Sequence, residues 1–129
     1  MVKKIFTFKE KTIEELQAMN VEDFAQLCDS RIRRSIKKGV DQQILAKIAS
    51  IKGNPKAKPI RTHKRDLIVL PAYVGIRFAV HRGNSFELLE IDEKMLGHYL
   101  GEFVFTRKRL QHGKAGIGAT KSSTAITAR

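Results

Sequence analysis

The sequence has little of what cross-linked, metal-built or membrane proteins need. It holds one cysteine, no tryptophan and three prolines in 129 residues. A lone thiol, Cys28, cannot close an internal disulfide, which fits a reducing compartment and excludes a disulfide scaffold or a cysteine-built zinc finger. No stretch approaches the ~20 uninterrupted apolar residues of a membrane-spanning helix. The start, Met1-Val2-Lys3-Lys4-Ile5, lacks the apolar run and small-residue cleavage site of a signal peptide. Acidic side chains are scarce too: 13 Asp and Glu face 25 Lys and Arg, for a net charge of +12. What remains is a small, basic, intracellular chain whose 42% apolar residues suffice for one modest core. Nucleic acid is the partner such a charge suggests.

The charge is unevenly placed. Residues 1–30 hold 4 basic and 6 acidic side chains, whereas residues 31–90 hold 14 and 4. Residues 91–106 are net acidic, and residues 107–129 carry 6 basic and no acidic residues. Two separated basic blocks point to two contact regions for a polyanion.

Thr12, with Glu15 as capping-box partner, opens a short helix, and Asn20 opens another. In the latter, Val21, Phe24, Ala25 and Cys28 follow the i, i+3, i+4, i+7 spacing of an apolar helix face. The pair reads as an accessory packed on the main body. A DNA-reading helix-turn-helix is the sharper reading, but net acidity of the segment argues against it. Arg31, Arg33, Arg34, Lys37 and Lys38 form the first dense basic run. Asp41 can cap a helix over about 42–51, which Gly53-Asn54-Pro55 ends. Residues 52–60 read as an extended linker. Arg61-Thr62-His63-Lys64-Arg65, without apolar periodicity, reads as a basic loop.

The period then changes. Leu67-Ile68-Val69-Leu70, stopped by Pro71, is readable as a strand. Gly75 opens another, in which Ile76, Phe78 and Val80 alternate with Arg77, Ala79 and His81. Gly83-Asn84 is a two-residue hairpin signal. It fixes a register: His81 opposite Phe86, Val80 opposite Glu87, Phe78 opposite Leu89, Arg77 opposite Glu90 and Ile76 opposite Ile91. That pairing puts Phe78, Leu89, Ile76 and Ile91 on one face, and a one-residue slip would lose it. Asp92 can cap a helical turn through Met95, and Gly97 and Gly101 break regularity beyond it. The glycine-rich, acid-free end cannot bury enough surface to offset its ordering entropy and reads as flexible.

Catalytic chemistry finds no support. His63, His81, His98 and His112 lie 14 to 18 residues apart, without the i, i+3 or i, i+4 spacing of a helical metal pair. Cys28 falls on an apolar helix face and reads as core. Gly113 and Gly118 have phosphate-loop spacing, but Ala119 stands where that loop needs lysine, so an NTPase is rejected. No acid–base set supports an RNase or RNA-modifying enzyme. No enzyme, cofactor, metal or small-molecule substrate is expected.

The segment from Asp92 to Arg107 closely resembles the signature of the small-subunit ribosomal protein nineteen family, in its archaeal and eukaryotic branch. The kernel is Gly97-His98, Leu100-Gly101-Glu102-Phe103 and Thr106-Arg107. The hairpin Ala79-Val80-His81-Arg82-Gly83 lies upstream at the family's spacing. Ser35-Ile36-Lys37-Lys38-Gly39 and Arg61-Thr62-His63 resemble two further elements, so the resemblance spans about residues 31–120. Arg82 stands where many members have a small polar residue, and His63 where bacterial members often have Trp. From Thr124 on, the chain lacks the Arg-Phe-Ile-Pro ending of eukaryotic members.

The resemblance implies a non-enzymatic constituent of the small-subunit head, acting in translation as part of the cytoplasmic ribosome. It implies binding to the 3′-major (head) domain of small-subunit rRNA, pairing with ribosomal protein thirteen of the same subunit, and a C-terminal tail near the A-site tRNA. Residues and resemblance together predict an α+β fold: a small three-stranded, mostly antiparallel sheet with a hairpin, packed with helices. Residues 1–30 form an N-terminal helical extension, 31–110 the rRNA-binding core and 111–129 an extended basic tail. The expected rRNA contacts are Arg31, Arg33, Arg34, Lys37 and Lys38; Arg61, Thr62, His63, Lys64 and Arg65; His81; and Arg107, Lys108, Arg109 and His112. Gly83, Gly97, His98, Leu100, Gly101, Glu102, Phe103 and Thr106 carry the family motif. Gly97 and Gly101 are expected to allow tight turns or close RNA approach. Glu102 should avoid phosphate and pair with an arginine or accept backbone N–H groups. Lys114, Gly116, Gly118, Thr120 and Lys121 are the expected tail contacts.

Overall fold

Among the described residues four short helices come first, each begun by a polar residue. Thr12 precedes α1 (Ile13–Ala18), and its backbone N–H donates to Glu15 Oε2 at 3.0 Å, tying the first turn as a capping box does. Asn20 precedes α2 (Val21–Leu27) and Asp29 precedes α3 (Ser30–Lys37), neither with a side-chain cap bond. Asp41 precedes α4 (Gln42–Ile51) and accepts from Gln43 N at 3.1 Å. The dense basic run is therefore helical. Ile32 and Ile36, one turn apart, face the core, while Arg31, Arg34 and Lys37 stay exposed. The computed structural model describes residues 6–52, 54 and 57–110. His112, Lys114, Gly116, Gly118, Thr120 and Lys121 lie outside the described residues.

Three strands, β1 (Ile60–Thr62), β2 (Arg77–His81) and β3 (Phe86–Glu90), form one mixed sheet in the order β1-β2-β3. β2 and β3 pair antiparallel with His81 opposite Phe86, Val80 opposite Glu87, Phe78 opposite Leu89 and Arg77 opposite Glu90, the register the hairpin signal predicts. Ile91 N donates to Ile76 O at 3.1 Å, extending the pairing to the expected next pair. Gly83, at φ +114°, takes the turn conformation that favours glycine.

Two expectations are corrected at the third strand. Arg61 and Thr62 are not on a loop: they belong to β1, which pairs parallel with β2, Ile60 opposite Phe78 and Thr62 opposite Val80. Its three residues are too few to show periodicity. Leu67–Leu70 is not a strand. Only Ile68 bridges, to Tyr99, with Val69 N donating to His98 O at 2.8 Å and Gly97 N to Val69 O at 3.1 Å. Pro71 then opens a 3-10 turn, Pro71–Tyr73. The apolar run is driven by burial alone, with Val69 and Leu70 in the core.

Leu16, Phe24 and Cys28 of the first thirty residues share a single core with Ile44, Ile48, Phe78, Val80 and Leu100. Gln17 Nε2 also donates to Pro71 O at 3.3 Å. The N-terminal helices are thus packed on the body of the protein rather than standing apart. No helix among the described residues is long and apolar enough to cross a membrane.

Candidate nucleic-acid interface

The two basic clusters meet across a groove. Its lining includes Arg31 and Lys38 from the first cluster, Lys64 and Arg65 from the second, and Tyr99 between them. The groove has a volume of about 1180 Å³. Ser35 and Tyr99 join their hydroxyls across it at 3.1 Å, and the Arg31 guanidinium lies 5.3 Å from the Tyr99 ring centroid. An arginine on an aromatic face keeps its N–H groups at the ring's rim, free to meet an anion.

The predicted contact residues are not equivalent. Arg34, Lys37, Lys38, Arg107, Lys108 and Arg109 are exposed. Arg33 instead turns back on the C-terminal end of α2, where Nη2 donates to Gln26 O at 3.1 Å and Cys28 O at 3.2 Å. Those carbonyls carry the negative end of the helix dipole, so the cation acts as a cap. Arg65 is held more firmly. Nη1 donates to His81 O at 2.8 Å, and Nη2 donates to Gly101 O at 2.8 Å and to Val104 O. It ties β2 to the Gly101–Val104 segment.

Thr62, in the second cluster, is buried. Its side chain faces the interior, and its hydroxyl accepts from Lys64 N at 3.0 Å. Lys64 pairs with Asp41. This contact holds the Asp41 carboxyl below its ordinary pKa, and Asp41 in turn raises that of Lys64. Arg61 and His63 lie on the outer side of the sheet. Arg61 places its guanidinium 4.3 Å from the Phe86 centroid, and His63 stacks 4.2 Å from His81.

Within the motif, Gly97 has φ +74° and makes the expected tight turn. Gly101 makes a close approach to the protein itself: a Cβ there would lie 3.0 Å from both Arg65 Cβ and Arg65 O. Among the described residues, Glu102 meets His98 and a backbone N–H rather than an arginine. Its Oε2 lies 2.8 Å from His98 Nδ1, and its Oε1 accepts from Tyr99 N at 3.4 Å. The backbone part of that expectation holds, and the side-chain partner is a histidine four residues back. Leu100 is buried, whereas Phe103 is half-buried and packs edge-on against His98 at 5.8 Å.

Burial, reinforced by Asp29, pushes the Cys28 thiol up to about 11. It is a neutral core group rather than a nucleophile. Among the described residues no three His, Cys, Asp or Glu side chains gather as a metal site. Sequence reasoning missed Tyr99 and Phe86 as ring supports for the arginines. The hairpin register, which sets Phe86 beside His81, held the only signal for Phe86, and Tyr99 had none.

Residues 31–112 match the family model described as ribosomal protein S19. Among curated proteins, the chain is 45% identical to "Small ribosomal subunit protein uS19" of Halorubrum lacusprofundi, across 93% of this chain and 88% of that protein. It is 47% identical to the protein of the same name from Halobacterium salinarum, across 92% and 87%.

Proposed function

This chain belongs to the ribosomal protein S19 family, in its archaeal type, and from that premise we propose how it works within the small subunit. It is a structural protein of the small ribosomal subunit that serves translation, and it is not an enzyme. In our reading it binds the 3′-major (head) domain of small-subunit rRNA, packs beside ribosomal protein thirteen and extends its C-terminal segment toward the A-site tRNA. The observation that carries the rRNA part is the row of exposed cations Arg31, Arg34, Lys37 and Lys38 along α3 and its end, beside the groove. Cations set along a rigid helix meet the phosphates of a folded RNA at fixed spacing. Recognition is then led by shape and backbone, as is usual for structured RNA.

A competition assay tests this. A head-domain rRNA fragment should displace random duplex DNA from the full chain at matched salt. Equal affinity for both would leave only general polyanion binding. A second assay addresses the protein partner: ribosomal protein thirteen should increase affinity for the rRNA fragment when both are present. No increase would remove that pairing from the account.

A further inference from the structure

The outer face of the sheet, at its hairpin end, carries four side chains that the phosphate-binding reading does not use as a unit. His63 follows β1, His81 ends β2, Phe86 begins β3 and Arg61 lies on β1. The His63 and His81 rings are 4.2 Å apart at 33°, close to a stack. Phe86 meets both edge-on, at 5.1 Å from His63 and 5.0 Å from His81. Arg61 covers the Phe86 face at 4.3 Å. His81 and Phe86 are half-buried, while His63 and Arg61 are exposed. His63 thus keeps an exposed ring while His81 and Phe86 pack against it.

We propose that His63 is a stacking platform for one unpaired RNA nucleobase, with His81 and Phe86 holding its ring and Arg61 meeting the flanking phosphate. This rests on the RNA-binding reading above and adds a base contact to it. Three features favour a base. The ring is planar and held in place by two other rings, so little freedom is lost on stacking. Neighbouring Arg61 is an exposed cation that selects a polyanion. Leu88, farther along β3, is 69% exposed and extends the apolar surface beside the platform. Sequence-tolerant stacking on protein rings beside a cationic track is how single-stranded RNA is generally held.

The test uses the full chain and a short oligouridylate carrying one central 2-aminopurine, whose fluorescence falls when the base stacks. Wild-type protein should bind it at low salt and quench the probe. His63→Ala should weaken binding about tenfold, as loss of one base–aromatic stack does, and should remove the quenching even at saturation. His63→Phe should restore both, which a hydrogen-bonding or purely charged histidine would not. Arg34→Ala should weaken binding while leaving the quenching of bound probe intact. Binding without quenching, or quenching unchanged in His63→Ala, would overturn the stacking site while leaving phosphate-led binding in place. No binding at low salt would overturn both readings.

Discussion

The basic run of α3 and the basic stretch around β1 look alike as sequence, yet the fold uses them differently. In α3 the charges project from a helix in register with its buried isoleucines, and only Arg33 turns back, to cap the neighbouring helix. Around β1 most of the polar groups are already engaged within the protein: Arg65 on three carbonyls, Lys64 on Asp41 and Thr62 on its own turn. In the proposed reading the first region is mainly a surface for a partner. The second is a joint of the fold whose outer side, Arg61 and His63, remains available. A positive charge in sequence therefore does not by itself mark a contact, because the fold can turn it onto a carbonyl or a carboxylate of its own.

The sharpest way to break this contrast is to truncate one arginine from each region. Arg65→Ala should cost about 2–4 kcal/mol in chemical denaturation, since three carbonyls lose a charged donor. Arg34→Ala, on an exposed helix face, should stay within about 0.5 kcal/mol of wild type. Equal losses would erase the distinction. Gly101→Ala comes next. Its Cβ would press on Arg65 Cβ and O at 3.0 Å, and such overpacking costs about 1–3 kcal/mol. A neutral result would show that the Arg65 joint is loose.

Two smaller effects follow from titration. The thiol of Cys28 has its folded pKa raised to about 11 from 9.0. The stabilisation from keeping it neutral is complete below 9 and is lost as pH rises from there through about 11. Alkaline denaturation should therefore be milder in Cys28→Ala than in wild type once their difference at neutral pH is subtracted. A constant difference across that window would contradict the burial account. Asp41 has its folded pKa lowered by Lys64. Its contribution is present above the unfolded value of 3.8 and fades as pH falls through the folded one, so Asp41→Asn should flatten the acid limb slightly. An unchanged limb would mean that the surface pair adds nothing, a common outcome for exposed ion pairs.

Much of the fold was legible in the sequence. The hairpin register followed from one turn and the alternation of Ile76, Phe78 and Val80. The starts of α1, α2 and α4 followed from Thr12, Asn20 and Asp41. The parallel strand β1 was not legible, because three residues leave no period and its partner lies beyond residues 63–76. Leu67–Leu70 misled because a buried apolar run looks the same in a strand as in a bridge followed by a turn. At the candidate site, the charged positions were visible but their division was not. Arg65 meets carbonyls 16, 36 and 39 residues away, and nothing local reports such contacts.

The central claim is that the exposed cations hold the partner through phosphates while the inward ones hold the protein together. Its most direct test is the salt dependence of binding to a head-domain rRNA fragment. Arg34, Lys37, Lys38, Arg107, Lys108 and Arg109, with Arg31 and Arg61, account for roughly six to eight phosphates. At about 0.7–0.9 per phosphate, log Kd against log salt should change with a slope of magnitude about 4 to 7. The double substitution Arg34→Ala and Lys37→Ala should reduce that magnitude by about 1.4 to 1.8. A slope near zero, or one that the double substitution leaves unchanged, would contradict the account.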